Sequence, residues 1–219
     1  MIEEAYQRLL KDIEVLKVPL PCICVVSKGQ PVEKLEQFYQ LGVRDFGENR
    51  PLELKEKAEF FLQKGILDIR WHFIGHIQSR QIPHILAYSY LIHSVHSQST
   101  LLKLEERAKA LRKFCKILLQ VNVSGESTKQ GFTEEELLKL AQEPLALIHL
   151  SLEGLMTMAP EGASSDSLRK TFKKTGDLAR NLQSYWPKCR ELSMGMSQDF
   201  PEALLEGATL LRIGSRLFK

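Results

Sequence analysis

Eight short runs of β-forming residues alternate along this chain with stretches whose apolar residues recur at helical spacing. The β-rich runs are residues 22–28, 43–48, 69–75, 90–95, 116–123, 150–158, 189–195 and 209–214. Apolar strands that alternate with amphipathic helices predict a parallel sheet covered by helices. Eight such units predict a closed (β/α)8 barrel of the TIM type, with an open doubly wound sheet as the alternative fold.

The first helical stretch, residues 3–16, precedes the first strand, whereas only five residues follow Gly214. No helix is therefore predicted after the eighth strand, and we expect the N-terminal helix to cover that gap and close the barrel. The chain has 219 residues, 43% of them hydrophobic, and no linker rich in proline, glycine or serine divides it. A single domain over residues 1–219 is predicted.

Charge and cysteine usage narrow the class of protein. The formal net charge is only +3, and the basic residues are interleaved with acidic ones along the helical stretches, so no nucleic-acid or membrane-binding surface is expected. Cys22, Cys24, Cys115 and Cys189 form no CxxC pair, which argues against a zinc site or a disulfide framework. The acidic, helical N-terminus is unlike a signal peptide, and no apolar run is long enough to span a bilayer, so a cytoplasmic protein is predicted.

The first strand ends in a lysine. Cys22, Cys24, Val26 and Lys28 share one face of this strand, because side chains alternate between its two faces. If the small cysteines face the crowded barrel interior, Lys28 emerges at the rim where barrels of this type place their active groups. A desolvated amine there could form a Schiff base with a carbonyl compound. The alternative is an ordinary lysine whose amine reaches water at a strand end.

Glycine and hydroxyl residues gather at the ends of the last two strands. Residues 195–197 read Gly-Met-Ser, and residues 212–215 read Arg-Ile-Gly-Ser. Backbone N–H groups and the hydroxyls of Ser197 and Ser215 suit a phosphate dianion, and a short helix predicted over residues 200–207 would add its positive end. A lysine opposite a phosphate site leaves two interpretations: pyridoxal phosphate (PLP), or a phosphorylated sugar in a lysine-dependent aldolase.

In their order along the chain, these motifs resemble the pyridoxal phosphate homeostasis protein family, small PLP-binding proteins related to the barrel domain of alanine racemase. The resemblance covers residues 22–218. It rests on "VSKGQP", "FGEN", "WHFIGHIQS", "QVNVSGESTKQG", "GLMTM", "LSMGMSQDF" and "GATLLRIGSRLF". It implies a barrel similar to the N-terminal domain of alanine racemase, with PLP as cofactor.

The resemblance also implies which residues contact the cofactor. Lys28 would hold PLP as a Schiff base, the internal aldimine, and Asn49 would lie beside the cofactor ring. Ser197, Gly214 and Ser215 would bind the phosphate.

Two further residues of the eighth strand receive roles from the resemblance. Ile213 would contribute close packing or a backbone contact. Arg212 would lie close to the pyridine nitrogen, where a guanidinium keeps that nitrogen unprotonated and weakens the ring as an electron sink. The chain departs from the family pattern at Gly29-Gln30, where Thr-Lys is frequent, at Arg50, where an aromatic residue is common, and at Ser215, where threonine is usual.

The resemblance predicts a binding protein more than an enzyme. Racemases of this kind need a second domain that supplies a second acid or base, and this chain has no residues for one after its eighth strand. We therefore predict a non-enzymatic, monomeric protein with no catalytic residues and no metal. It would take part in intracellular vitamin B6 homeostasis by holding PLP on Lys28 and releasing it, with PLP-dependent apoenzymes as candidate recipients. The alternative is a PLP-dependent enzyme similar to amino-acid racemases.

Three other residues have predicted or open roles. His72 and His76 are four residues apart, but they lie in a strand and its following turn without the glutamate of a zinc helix motif. His72 is predicted to be a packed strand residue, and His76 to form a hydrogen bond near the ring or within its loop. Glu48 could pair with a basic neighbour such as Arg50 or act at the site.

Overall fold

The computed structural model describes residues 1–123 and 130–218. Residues 124–129, in the middle of the "QVNVSGESTKQG" motif, lie outside the described residues, as does Lys219. The strands are β1 Cys22–Val26, β2 Asp45–Glu48, β3 Arg70–Phe73, β4 Leu91–Val95, β5 Cys115–Gln120, β6 Leu150–Met156, β7 Glu191–Ser193 and β8 Leu210–Ile213. The helices are α1 Ile2–Val15, α2 Val32–Gln40, α3 Pro51–Gln63, α4 Ile82–Tyr88, α5 Gln98–Leu111, α6 Glu134–Gln142, α7 Ser165–Leu182, α8 Phe200–Leu205 and α9 Ser215–Phe218.

The eight strands form a closed barrel in sequence order, in which every neighbouring pair is parallel. Closure is made by β1 and β8, which pair over four positions from Cys22 with Leu210 to Val25 with Ile213. This confirms the predicted (β/α)8 barrel and rules out the open doubly wound sheet. All eight carboxyl ends therefore meet at one mouth.

Alternation along the strands separates a barrel interior from the layer under the helices. Cys24, Leu91, Leu118, Met156 and Leu210 form the interior cluster, with Cys22 packed at its edge. Their strand neighbours, such as those at positions 23, 25, 92 and 211, join the larger core between the sheet and the helices. Cys22 and Cys24 therefore face the barrel interior, which is the condition on which the expected position of Lys28 depends.

Helix α1 covers the seam between the last strand and the first. It packs on α2 and α9, the helices that follow β1 and β8, and it buries Leu9 and Ile13. The prediction that no helix follows β8 is wrong, because α9 begins directly after it and buries Leu217. The side chain of Arg216 on α9 forms an ion pair with Asp12 on α1, which joins the two ends of the chain.

None of the helices in residues 1–123 and 130–218 combines the length and the apolar character needed to cross a membrane. The four cysteines are free thiols, and Cys24, Cys115 and Cys189 are buried.

Candidate ligand-binding site at the barrel mouth

The ends of β7 and β8 form one joined structure at the mouth. Gly195 has a φ of +93°, and a Cβ there would lie 2.7 Å from Ala203 Cβ, so the turn from β7 to α8 requires glycine. The carbonyl oxygen of Gly195 accepts a hydrogen bond from the Arg212 N–H at 3.0 Å. Ser197 Oγ accepts one from the Arg216 N–H at 3.3 Å. The two segments that the sequence assigns to phosphate binding are thus in contact.

The hydroxyl and glycine positions suit an anion. Ser197 is half-buried and Ser215 is exposed at the start of α9. Gly214 lies against β1, because a Cβ there would come within 3.3 Å of Val26 Cβ and of the Val26 carbonyl oxygen. Two hydroxyls, and a backbone that a ligand can approach closely, can donate hydrogen bonds to the oxygens of a phosphate group. Ile213, in contrast, is fully buried in the core under the helices, which agrees with a packing role.

Lys28 lies on the neighbouring wall of the mouth. Strand β1 ends at Val26, so the prediction that the strand continues to Lys28 is wrong. Residues 27–30 instead form a turn closed by a 3.0 Å hydrogen bond from the Gln30 N–H to the Ser27 carbonyl oxygen. Gly29 has a φ of +66°, which glycine adopts without strain, and Lys28 is exposed. The turn therefore presents the Lys28 amine to solvent.

Helix α3 holds the turn on both sides of Lys28. Lys57 Nζ donates to the Ser27 carbonyl oxygen at 2.7 Å, and the Gly29 N–H donates to Glu53 Oε2 at 2.8 Å. We call Glu53 and Lys57, one helical turn apart, the α3 clamp. Since the clamp binds the backbone groups directly before and after Lys28, it fixes the lysine relative to the barrel wall.

The α3 clamp is anchored on a buried ion pair. Lys57 Nζ lies 2.5 Å from Glu48 Oε1, and the Ser27 hydroxyl donates to the same oxygen at 2.6 Å. Glu48 is fully buried, and burial raises the pKa of its carboxyl despite these hydrogen bonds. Glu48 therefore pairs with Lys57, whereas Arg50 pairs with Glu53. This settles the open sequence interpretation of Glu48 in favour of an ion pair, with a partner other than Arg50.

Asn49 follows β2, the strand next to β1 in the barrel. Its Oδ1 atom is buried and has no hydrogen-bond partner within the described part of the chain. Gly75, after β3, allows a close approach here, because a Cβ at that position would overlap the Asn49 carbonyl group. A buried oxygen without a partner costs free energy unless a ligand or water donates to it, so its place at the mouth fits a bound ligand.

Arg212 points into the barrel from β8. Its Nη1 donates to the carbonyl and hydroxyl oxygens of Ser193, both at 2.7 Å, and its Nη2 donates to the Thr157 carbonyl oxygen at 2.9 Å. Of the five N–H groups of a guanidinium, these bonds leave two with no partner in residues 1–123 and 130–218. Burial lowers the pKa of Arg212 to about 10, so the group stays charged at neutral pH.

A hydrogen-bond chain crosses the barrel interior from Arg212 to β2. Ser193 Oγ lies 2.8 Å from His93 Nδ1, His93 Nε2 lies 2.8 Å from His72 Nδ1, and His72 Nε2 lies 3.0 Å from Asp45 Oδ1. We call Asp45, His72, His93, Ser193 and Arg212 the interior chain. All five are buried. His72 is thus a packed strand residue as predicted, with a polar role that the sequence did not suggest.

The Asp45 end of the interior chain should control stability at acid pH. Burial alone would raise the pKa of this carboxyl, but hydrogen bonds from Arg70 and His72 outweigh it and hold the pKa well below its usual range. A carboxyl whose pKa is lower in the folded state stabilises the protein at pH values above its unfolded-state pKa. This contribution is lost as the pH falls toward the folded-state pKa. Asp45→Asn should lower the free energy of unfolding at pH 7. The difference from the wild type should become smaller below a pH of about 4. Denaturant titrations of both proteins across this range test it, and a deficit that is independent of pH would contradict it.

The sequence interpretation missed Glu53, Lys57, His93 and Ser193. The i, i+4 spacing of Glu53 and Lys57 is a signal of contact between them, but nothing in it indicates the turn that they bind. His93 shares a strand face with the interior residue Leu91, so its inward direction could have been found by alternation.

The remaining histidines and methionines do not gather at the site as ligands. His76 is exposed, donates from Nδ1 to Gln130 Oε1 at 2.9 Å and stacks on His96, a contact within the loops. Among the described residues, no group of three or more histidine, cysteine or acidic side chains could hold a metal. Met156 packs in the interior cluster, and Met196 is exposed at the mouth.

Comparison with known proteins yields one family and a consistent set of relatives. The family described as "Alanine racemase, N-terminal domain" matches residues 15–219. A pyridoxal phosphate homeostasis protein of Aquifex aeolicus is 37% identical over 193 residues, which cover 88% of this chain and 83% of that protein. One of Synechocystis sp. is 38% identical over 198 residues, covering 90% of this chain and 89% of the relative.

Solved structures extend the comparison. PipY of Synechococcus elongatus, solved with PLP bound, is 31% identical with a TM-score of 0.87, and the match covers 100% of both chains. Alanine racemase of Clostridium difficile has a TM-score of 0.74 at 20% identity, and covers 95% of this chain and 57% of that protein. The latter similarity concerns the fold alone.

Proposed function

This chain belongs to the alanine racemase N-terminal domain family, and from that membership we propose that it binds PLP at the barrel mouth and serves in PLP homeostasis. The relatives are named for this role, and PipY was solved with PLP bound. The observation that carries the proposal is that four consecutive wall strands, β7, β8, β1 and β2, bring two serine residues, an exposed lysine and a buried oxygen without a partner among the described residues to one mouth.

The residues fit the parts of PLP one by one. Ser197, Ser215 and the backbone at Gly214 would bind the phosphate, and the Asn49 oxygen would accept a hydrogen bond beside the ring. When bound, PLP supplies an electrophilic aldehyde carbon, and the Lys28 amine is the group of this chain that would form a Schiff base with it. The two unused N–H groups of Arg212 would face the ring nitrogen.

The chemistry at Arg212 favours binding over turnover. Its hydrogen-bond acceptors are carbonyl and hydroxyl oxygens, and the guanidinium is itself a cation. A cation at the ring nitrogen disfavours protonation of that nitrogen, which weakens the ring as an electron sink. We therefore propose a protein, acting as one barrel domain, that holds PLP reversibly and releases it to apoenzymes. We propose that it acts as a cytoplasmic monomer, and its four free thiols agree with a reducing compartment.

Transfer and turnover measurements on the PLP-loaded chain test this proposal. We expect an added PLP-dependent apoenzyme to regain activity as the loaded chain loses its visible absorption. We also expect no racemisation of added amino acids. Steady racemisation that requires Lys28 would instead establish a racemase-like enzyme and overturn the carrier role.

A further inference from the structure

The interior chain has a charged group at each end. It begins at the Arg212 guanidinium and ends at the Asp45 carboxylate. Of the residues between them, Ser193 and His93 are 0% exposed and His72 is 1% exposed. A buried polar network of this length is costly unless every member is satisfied. The links of 2.7–3.0 Å show that each neighbour in the chain is bonded.

The proton positions along the chain follow from its acidic end. The ionised Asp45 can only accept, so His72 donates from Nε2, and in the arrangement that gives every donor of the chain an acceptor, His72 Nδ1 accepts from His93 Nε2. His93 Nδ1 is left as an acceptor, so the Ser193 hydroxyl must donate to it. Burial lowers the pKa of His93 well below its usual value, which keeps this residue in the neutral form that the assignment needs.

This direction determines what Ser193 offers to Arg212. Because the hydroxyl proton of Ser193 is directed at His93, the Ser193 Oγ lone pairs face the Arg212 Nη1 group at 2.7 Å. If His93 could not accept, the hydroxyl proton could turn toward the guanidinium and oppose it. His93, on the opposite side of the barrel from β8, thus decides whether Arg212 has two acceptors on Ser193 or one.

We propose that His93 is a positioning residue that acts through the Ser193 hydroxyl to fix the Arg212 guanidinium, so that its two unused N–H groups face the ring nitrogen of bound PLP. The inference rests on the proposed function, because it requires PLP at the mouth. It assigns to β4 and β7 a part in tuning the cofactor that the motifs at the mouth do not indicate.

Other titratable groups lie around these residues. Cys24 on β1 and Asp199 after β7 are titratable groups near Arg212, and His72 on β3 is the titratable group next to His93. Strands β5 and β6 contribute the apolar side chains of Leu118 and Met156 to the interior. Since burial raises the pKa of the Cys24 thiol well above its usual value, this group stays neutral.

Visible spectra of the PLP-loaded full-length chain as a function of pH test the proposal. In His93→Leu and in Ser193→Ala, we expect the absorption of bound PLP to acquire a pH dependence that the wild type lacks. We also expect the dissociation constant for PLP to rise about tenfold, the effect of losing one hydrogen bond to a charged group. His93→Asn, which retains an acceptor oxygen near the place of Nδ1, should keep the wild-type spectrum.

Leu118→Val is the matched control, since it disturbs the interior cluster without touching the interior chain. It should lower stability but leave the spectrum and its pH profile unchanged. If His93→Leu does not fold, Ser193→Ala alone decides, because it removes only one oxygen atom. Wild-type spectra in both variants at full PLP loading would overturn the inference and leave PLP binding intact. A wild-type chain that takes up no PLP would overturn the proposed function and the inference together.

Discussion

Lys28→Ala should abolish the covalent pyridoxyl adduct that forms when the PLP-loaded protein is reduced with borohydride, while leaving the barrel folded. The amine lies in an exposed turn outside the hydrophobic core, so its loss removes the proposed attachment point and little packing. The wild type, incubated with PLP and reduced, should carry the adduct on the peptide that contains Lys28. The measurement is visible absorption before and after reduction, followed by peptide mass mapping.

Two variants control this experiment. Lys28→Arg keeps the positive charge but cannot form a Schiff base, so it should also lose the adduct, while PLP can still be held through its phosphate. Lys34→Ala removes another lysine six residues further along the chain, whose amine bonds to Gln30, and should keep the adduct. An adduct mapped to any lysine other than Lys28 would refute the proposed attachment.

The architecture of this barrel could be predicted from the sequence because it depends on local patterns. Alternation puts Cys22 and Cys24 on one face of the first strand, their small size suits the barrel interior, and they pack in or at the edge of the interior cluster. The sequence pattern places the end of β1 two residues too late, since it does not distinguish a strand residue from a turn residue such as Lys28. Gly29 departs from the family pattern, and the positive φ of that turn explains why glycine suits this position.

The polar interior of the site could not be predicted in the same way. His93 and Ser193 are 100 positions apart in the sequence, and they meet only because the closed barrel directs their side chains toward each other. Lys57 likewise reads as one more charged residue of an amphipathic helix, whereas it is 6% exposed and bonded to Glu48. Such pairs depend on the relative positions of complete elements, which local periodicity does not encode.

Lys57→Met should be the most destabilising of the single substitutions considered for this site. It would leave the Glu48 carboxylate fully buried with only the Ser27 hydroxyl as donor, and it would remove the donor to the Ser27 carbonyl oxygen. Removing one partner of a buried ion pair costs about 3–5 kcal/mol, a large part of the stability of a typical domain. Urea denaturation at pH 7 measures this loss. Lys55→Met, two residues earlier on the same helix and more exposed, should change stability by less than about 1 kcal/mol.

The pH dependence and a double variant distinguish this cause from lost packing. Burial already raises the pKa of Glu48, and without Lys57 its folded-state pKa should rise further. The native state then binds a proton more tightly than the unfolded chain, so lowering the pH should reduce the deficit of Lys57→Met. Glu48→Gln combined with Lys57→Met removes both charges and should recover most of the stability. If the double variant is as unstable as the sum of the two single ones, the ion pair does not hold the Lys28 turn, and packing of the Lys57 stem explains its burial instead.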